Sequence, residues 1–163
     1  MTSDVDRLAE LEERLRRIED ERAIERMLAA YGPLVDAGEA DAAAALWAAD
    51  GSYDVEGWAM RGRDDVAKMV RSDAHQRLIG RGSAHFLGPA VVTVDGDDAV
   101  AVCESALLLH IDGGFVVGRA GANHFRLRRI DGRWQITART TRALDGNPQA
   151  RQLLADGVGG KPR

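Results

Sequence analysis

The stretch AHFLGPAVVTVDGDDAVAVCESALLLHIDGGFVVGRAGANHFRLRRIDGRWQITARTTRAL, residues 84–144, decides the fold. Four apolar runs, Ala84 to Val94, Ala99 to Ile111, Phe115 to Ile130 and Trp134 to Leu144, are joined at Asp95-Gly96-Asp97, Asp112-Gly113-Gly114 and Asp131-Gly132. Asp-Gly accepts the left-handed backbone angles of a tight hairpin at little steric cost. Three such turns between long runs predict an antiparallel meander. Gly118, Ala120, Gly121 and Ala122 in the third run leave room for a ligand or for a sharp bend of the sheet.

Working upstream, the pattern turns helical. Leu8, Leu11, Leu15 and Ile18 recur at spacings of three and four, and a second stripe runs through Ile24, Leu28, Tyr31 and Val35. We read an arm at about 4–19, with N-cap chemistry in Thr2-Ser3-Asp4, and a core helix at about 20–37 that Gly32-Pro33 kinks and Gly38 ends. Asp41 to Ala49 predicts a short helix with Leu46 and Trp47 inward, Ser52 to Val55 a short strand, and Arg63 onward a further helix fading toward Leu78. The tail beyond Asp145 ends Gly-rich and is expected to fray. The expectation is one α+β domain, a cone-shaped α+β barrel with N-terminal helices on a strongly curved, mostly antiparallel sheet. Its parts are an arm at 1–19, a cone at 20–145 and a tail at 146–163.

Composition narrows the chemistry. The 163 residues hold 45% hydrophobic and 29% charged side chains, the balance of a globular domain rather than a disordered chain. No apolar run approaches the roughly 20 residues of a membrane-spanning helix, and the first thirty residues are too charged for a secretory signal. A cytoplasmic protein is expected. The net charge of −4 argues against nucleic acid as a partner. Only Lys68 and Lys161 are lysine, so a Schiff base has no good candidate. Cys103, the single cysteine, excludes an internal disulfide and reads as packing in an apolar strand. The four histidines lack a ligand spacing, and no phosphate loop, dinucleotide fingerprint or nucleophile elbow is present; neither metal nor cofactor is expected.

Helices on one face of a curved sheet enclose a pocket, the default site for a small molecule. Tyr31 lies on the apolar stripe of the core helix, so it is either a core tyrosine or a pocket group. Asp36, near the helix end, is a cap, a solvated charge or a partner for His85, which opens the first run of the meander. An imidazole beside a carboxylate is the usual general acid–base near neutral pH. By strand parity His110 shares a face with Leu108, Ala106 and Glu104, and Asn123 shares one with Arg119, Gly121 and Phe125. His110 reads as a satisfied core residue or a ligand contact. His124 reads as outer face, His75 as surface helix, and Arg126, Arg128 and Arg129 as a solvated or subunit-facing patch.

Tyr31-x4-Asp36, Gly38-Glu-Ala-Asp41 leading to Leu46-Trp47 and Ala49-Asp50-Gly51, then His85, Val94-Asp-Gly-Asp97, Ala122-Asn123-His-Phe and Asp131-Gly-Arg-Trp134-Gln-Ile136 resemble the SnoaL-like proteins of the nuclear transport factor 2-like superfamily. The likeness spans about residues 20–145 and implies an α+β cone. Within the superfamily the chain is most similar to the scytalone dehydratase and bile acid 7-alpha-dehydratase group. That resemblance implies Tyr31, Asp36 and His85 as catalytic residues, Tyr53, His110 and Asn123 as substrate contacts, and no cofactor.

The resulting expectation is a cofactor-independent dehydratase or isomerase, using general acid–base chemistry on a small hydrophobic, cyclic, oxygenated molecule. The alternative is a non-catalytic ligand-binding or assembly protein on the same fold, favoured if Asp36 and His85 lie beyond hydrogen-bond reach or if Trp58, Phe86 or Phe115 fills the pocket. The uncovered stripe of the arm predicts a homo-oligomer, dimer or trimer, under either reading.

Overall fold

A computed structural model describes residues 3–163. The N-terminal helix is continuous, α1 from Asp4 to Asp36, rather than an arm and a separate core helix. Ser3 caps it: its hydroxyl accepts from the Asp6 amide at 3.1 Å and its amide donates to the Asp6 carboxylate at 3.0 Å. Thr2 lies outside the described residues. The helix is exposed through Glu19 and buried on one side from Asp20 onward, through Ile24, Leu28, Tyr31 and Val35. No helix among the described residues is long and apolar enough to cross a membrane.

After α2 (Ala40–Ala44) come β1 (Trp47–Val55) and β2 (Trp58–Arg61), then α3 (Gly62–Arg71) and α4 (Asp73–Arg81). The helix expected to reach Ala49 stops five residues earlier, and Trp47 to Ala49 join the strand. The meander follows as β3 (Ser83–Leu87), β4 (Val91–Asp95), β5 (Asp98–Ile111), β6 (Gly114–Ile130) and β7 (Arg133–Ala143). Asp112-Gly113 and Asp131-Gly132 both take positive φ, the pairing a two-residue hairpin demands, and Gly96 supplies it between β4 and β5.

The first run of the meander is two strands rather than one. Gly88-Pro89-Ala90 interrupts it, because Pro89 has no amide to give to a ladder. Both halves still pair with β5, Ser83–Leu87 against Ser105–Leu109 and Val91–Asp95 against Asp98–Val102. The sheet order is β2-β1-β7-β6-β5-β3, antiparallel throughout except for the β1–β7 pair. The pairing register slips by one residue at Gly118 in β6 and at Thr137 in β7. Such bulges bend and twist a sheet. It curves strongly without closing into a barrel, and the helices from α1 to α4 lie on its inner face.

Trp47, Phe125, Leu127 and Ile136 are fully buried in that inner core with the α1 stripe; burial of such side chains stabilises by about 1.5–3 kcal/mol each. The tail does not fray. Residues Pro148–Val158 form α5, capped by Asn147, which packs on the opposite face of β5 and β6 through Ala150 and Leu153 against Ala122. Gly157 permits the contact, since a Cβ there would stand 2.4 Å from Val102. His124 is on that outer face as expected, but buried, with its Nε2 2.9 Å from the Lys161 carbonyl oxygen.

Candidate functional site

The site begins where α1 ends. A Cβ on Gly32 would lie 1.9 Å from the His85 carbonyl oxygen, so only glycine lets α1 approach β3 this closely. One turn later Asp36 reaches the same residue twice. The His85 amide donates to Asp36 Oδ2 at 2.7 Å, and the His85 ring Nδ1 stands 2.6 Å from Asp36 Oδ1. A carboxylate only accepts hydrogen bonds, so it holds the hydrogen on Nδ1 and leaves Nε2 as the proton-exchanging nitrogen.

Beside this pair opens a cavity of about 220 Å³. Its apolar walls include Val55, Met60, Met69, Leu78, Leu87 and Leu107, and its polar groups are Tyr31, Tyr53, His75, His85, Ser105, Arg119, Arg139 and Thr141. Trp58 and Phe86 also border it but are more than half exposed, and they leave the space open. Tyr31 packs edge-on against Trp47 at 5.7 Å, and Trp47 lies 5.5 Å from Tyr53. Burial, then the neighbouring Tyr53, pushes the Tyr31 phenol up, so it stays protonated and able to donate.

Four of the six residues expected at a site, Tyr31, Tyr53, Asp36 and His85, come together here. Asn123 sits one layer beneath, fully buried: its Oδ1 accepts from Arg139 and from Thr141, and its Nδ2 donates to Ser105 Oγ at 2.8 Å. His110 is not part of the lining. It is exposed and its ring packs 5.1 Å from that of Phe115 with the planes tilted by 51°, while Ser105, Ala106 and Leu107 of its strand border the cavity.

Of the described cavity residues outside the set expected from sequence, two carry a buried polar atom without a partner. His75, expected on the surface, borders the pocket and stacks on His85 with ring centroids 5.1 Å apart and planes 15° from parallel. Ser72 is the reason: it breaks the helix and caps a new one, accepting from the His75 amide, so that α4 turns over the opening. Burial and then His85 lower the His75 pKa, which keeps its ring neutral. The second is Arg139, 3% exposed, whose guanidinium carbon lies 4.3 Å from the Tyr31 ring centroid, 4.4 Å from Tyr53 and 5.1 Å from Phe125. His75 Nε2 and Arg139 Nη1 are the buried side-chain polar atoms without a hydrogen-bond partner among the described residues, and both belong to this cavity. Unpaired buried polar atoms are costly and rare away from working sites.

Among the described residues no group of three or more histidine, cysteine, aspartate or glutamate side chains gathers as metal ligands do. Burial pushes the Cys103 thiol up to about 11, which fits a packing role.

The model of the SnoaL-like domain matches residues 16–140. An NTF2-like protein with a cystatin-like fold from Novosphingobium aromaticivorans is 40% identical, with 94% of this chain and 98% of that one covered and a TM-score of 0.88. A variant of Rv3472, a protein of unknown function from Mycobacterium tuberculosis, is 26% identical over 85% of this chain and 79% of that one, TM-score 0.72. A candidate scytalone dehydratase from N. aromaticivorans, at 21% identity, 78% and 85% coverage and a TM-score of 0.63, shares the fold. A comparison with curated proteins finds no match.

Proposed function

The chain belongs to the SnoaL-like family, on the NTF2-like fold, and from that premise we propose that it is a dehydratase or isomerase working by general acid–base chemistry on a small, cyclic, oxygenated molecule. The observation that carries this reading is the 2.6 Å His85–Asp36 contact on the wall of an apolar cavity. His85 Nε2 takes a proton from the carbon next to a carbonyl. Asp36 holds the ring in the required tautomer and offsets the charge that the ring gains. Tyr31, with Tyr53 beside it, donates to the carbonyl oxygen as negative charge develops there. In a dehydration the same imidazolium returns the proton to the departing hydroxyl; in an isomerisation it returns it to carbon. The cavity lies below the about 300–1,000 Å³ of drug-sized ligand sites, which suits a one- or two-ring substrate.

Proton abstraction has a signature that needs no knowledge of the natural substrate. Incubated in D2O with 1-tetralone, 2-tetralone and a cyclic β-hydroxyketone, the protein is expected to accelerate deuterium uptake at the α-carbon of at least one, read by mass spectrometry. His85→Ala lowers that rate by about 100- to 10,000-fold, the usual worth of a positioned base, and Asp36→Asn lowers it less. Undiminished exchange in a folded His85→Ala protein overturns the assignment.

Self-association belongs to the same proposal. Val5, Leu8, Leu11, Leu15 and Ile18 of α1 are each more than half exposed on one stripe, which a second copy of the chain covers. Leu11→Asp with Leu15→Asp is expected to lower the mass seen by light scattering to that of a monomer; an unchanged mass removes the arm from the interface.

A further inference from the structure

The cavity floor contains a charge that the proposed reaction has not used. Arg139 is buried, and its Nε and Nη2 both donate to the neutral Asn123 Oδ1, at 3.2 and 2.7 Å. Nη1 has no partner, and no carboxylate among the described residues pairs with this guanidinium. The other arginine on the lining, Arg119 at the mouth, is paired with Glu56 at 2.7 Å. A buried cation without a counter-ion carries a desolvation cost of several kcal/mol. Proteins keep such a charge where something else offsets it.

We propose that this floor is an oxyanion site charged by Arg139, and that the ligand is a small ring compound carrying, or developing in reaction, a negative oxygen: an acidic phenol or the enolate of a cyclic ketone. The enolate case rests on the proton abstraction proposed above; the phenol case does not. Tyr31 and Tyr53 lie against the guanidinium and border the cavity, so their hydroxyls touch the ligand oxygen while Arg139 stands behind them. Arg139 is thus a positioning residue. Its charge acts over a short distance in a poorly hydrated site, where electrostatic interactions are strong. Asn123 fixes its direction: Thr141 and Ser105 hold the amide so that its oxygen faces the guanidinium. The remaining titratable groups on the lining are His75, His85 with Asp36, and Arg119 with Glu56, and only Arg139 brings a permanent charge without a partner.

The test uses 4-nitrophenol, whose neutral and ionised forms absorb at different wavelengths. At a pH where the free probe is half ionised, the wild-type protein is expected to enrich the bound phenolate about tenfold or more, equivalent to a unit or more of depression in the probe's pKa. Arg139→Gln removes that enrichment, Arg139→Lys restores most of it, and Arg119→Gln leaves it in place. A purely structural arginine would alter melting in these variants without moving the spectrum of the bound probe. The wild-type protein alone also decides, should the Arg139 variants not fold: uptake of the neutral phenol, or of neither form, overturns the proposal, as does loss of the enrichment in Arg119→Gln. Absence of phenolate preference with His85-dependent deuterium exchange intact removes this inference and leaves the reaction standing. Phenolate preference without exchange does the reverse.

Discussion

Arg129 and Arg139 are ten residues apart and solve the same problem in opposite ways. Both place a guanidinium over aromatic faces, Arg129 at 4.5 Å from Trp134 and Arg139 at 4.3 Å from Tyr31. Arg129 is closed off electrically: it donates to Asp20 at 2.7 Å and to Asp97 at 2.9 Å, and the Trp134 indole donates to the other Asp20 oxygen at 3.1 Å. Arg139 has only an amide oxygen to donate to. The first cluster ties α1 to the β4–β5 turn and to the β6–β7 hairpin and leaves nothing for a ligand. The second forms the floor of a cavity. An aromatic-stacked arginine is therefore structural or functional according to what faces its remaining hydrogens, and residue type alone does not say which.

The contrast is sharpest in stability. Asp20→Ala strips Arg129 and Trp134 of a shared, largely buried acceptor, and is expected to cost about 2–3 kcal/mol in urea unfolding. Burial alone would raise the Asp20 carboxyl, but the hydrogen bonds from Arg129 and Trp134 hold it below its ordinary value. The unfolded chain therefore takes up this proton first, and the stabilisation is lost as pH falls from the ordinary aspartate range through the lower folded value. Asp20→Asn flattens that acid limb. Arg139→Met, by comparison, trades an unpaired buried cation for a flexible apolar side chain of similar reach, and is expected to change stability by less than about 1 kcal/mol. A loss from Arg139→Met as large as that from Asp20→Ala would make the two arginines alike and place both in the framework.

What the sequence made legible follows from how local its signals are. The three Asp-Gly turns are two-residue events, and, apart from the divided first run, the strands they join lie where the runs place them. Asp36 and His85 were legible as residues of the right type at the ends of their elements; what brings them to 2.6 Å is the close approach at Gly32, which only the packed chain reveals. Arg139 was hidden by parity. Trp134 and Ile136 point into the core, and strict alternation carried onward turns Arg139 outward. The extra residue at Thr137 resets the alternation, so Ala138 and Arg139 are both buried and Arg139 faces Phe125 across the ladder. One-residue bulges leave little trace in composition, and the Gly118 bulge likewise shifts the strand pairing next to His110. The splitting of the first meander run was readable in principle, since Gly88-Pro89 is a breaker signal inside an otherwise continuous apolar run.

His75 extends the comparison to a weaker case. Like Arg139 it borders the cavity with an unpaired buried nitrogen; unlike Arg139 it meets the cost by staying neutral, because burial and the neighbouring His85 lower its pKa. The unfolded chain accepts this proton at the ordinary histidine value, so the native state is unaffected above that range and loses stability as pH falls through it toward the lower folded value. The ring is part-exposed, and solvent screening keeps the effect below about 1 kcal/mol. His75→Phe keeps the stacked ring and removes the titration, so unfolding of the variant is expected to depend less on pH between the neutral and mildly acidic ranges than that of the wild type. An unchanged pH dependence would mean that the His75 ring reaches water as readily in the native state as in the unfolded chain, and would leave Arg139 as the one unpaired polar group of the cavity.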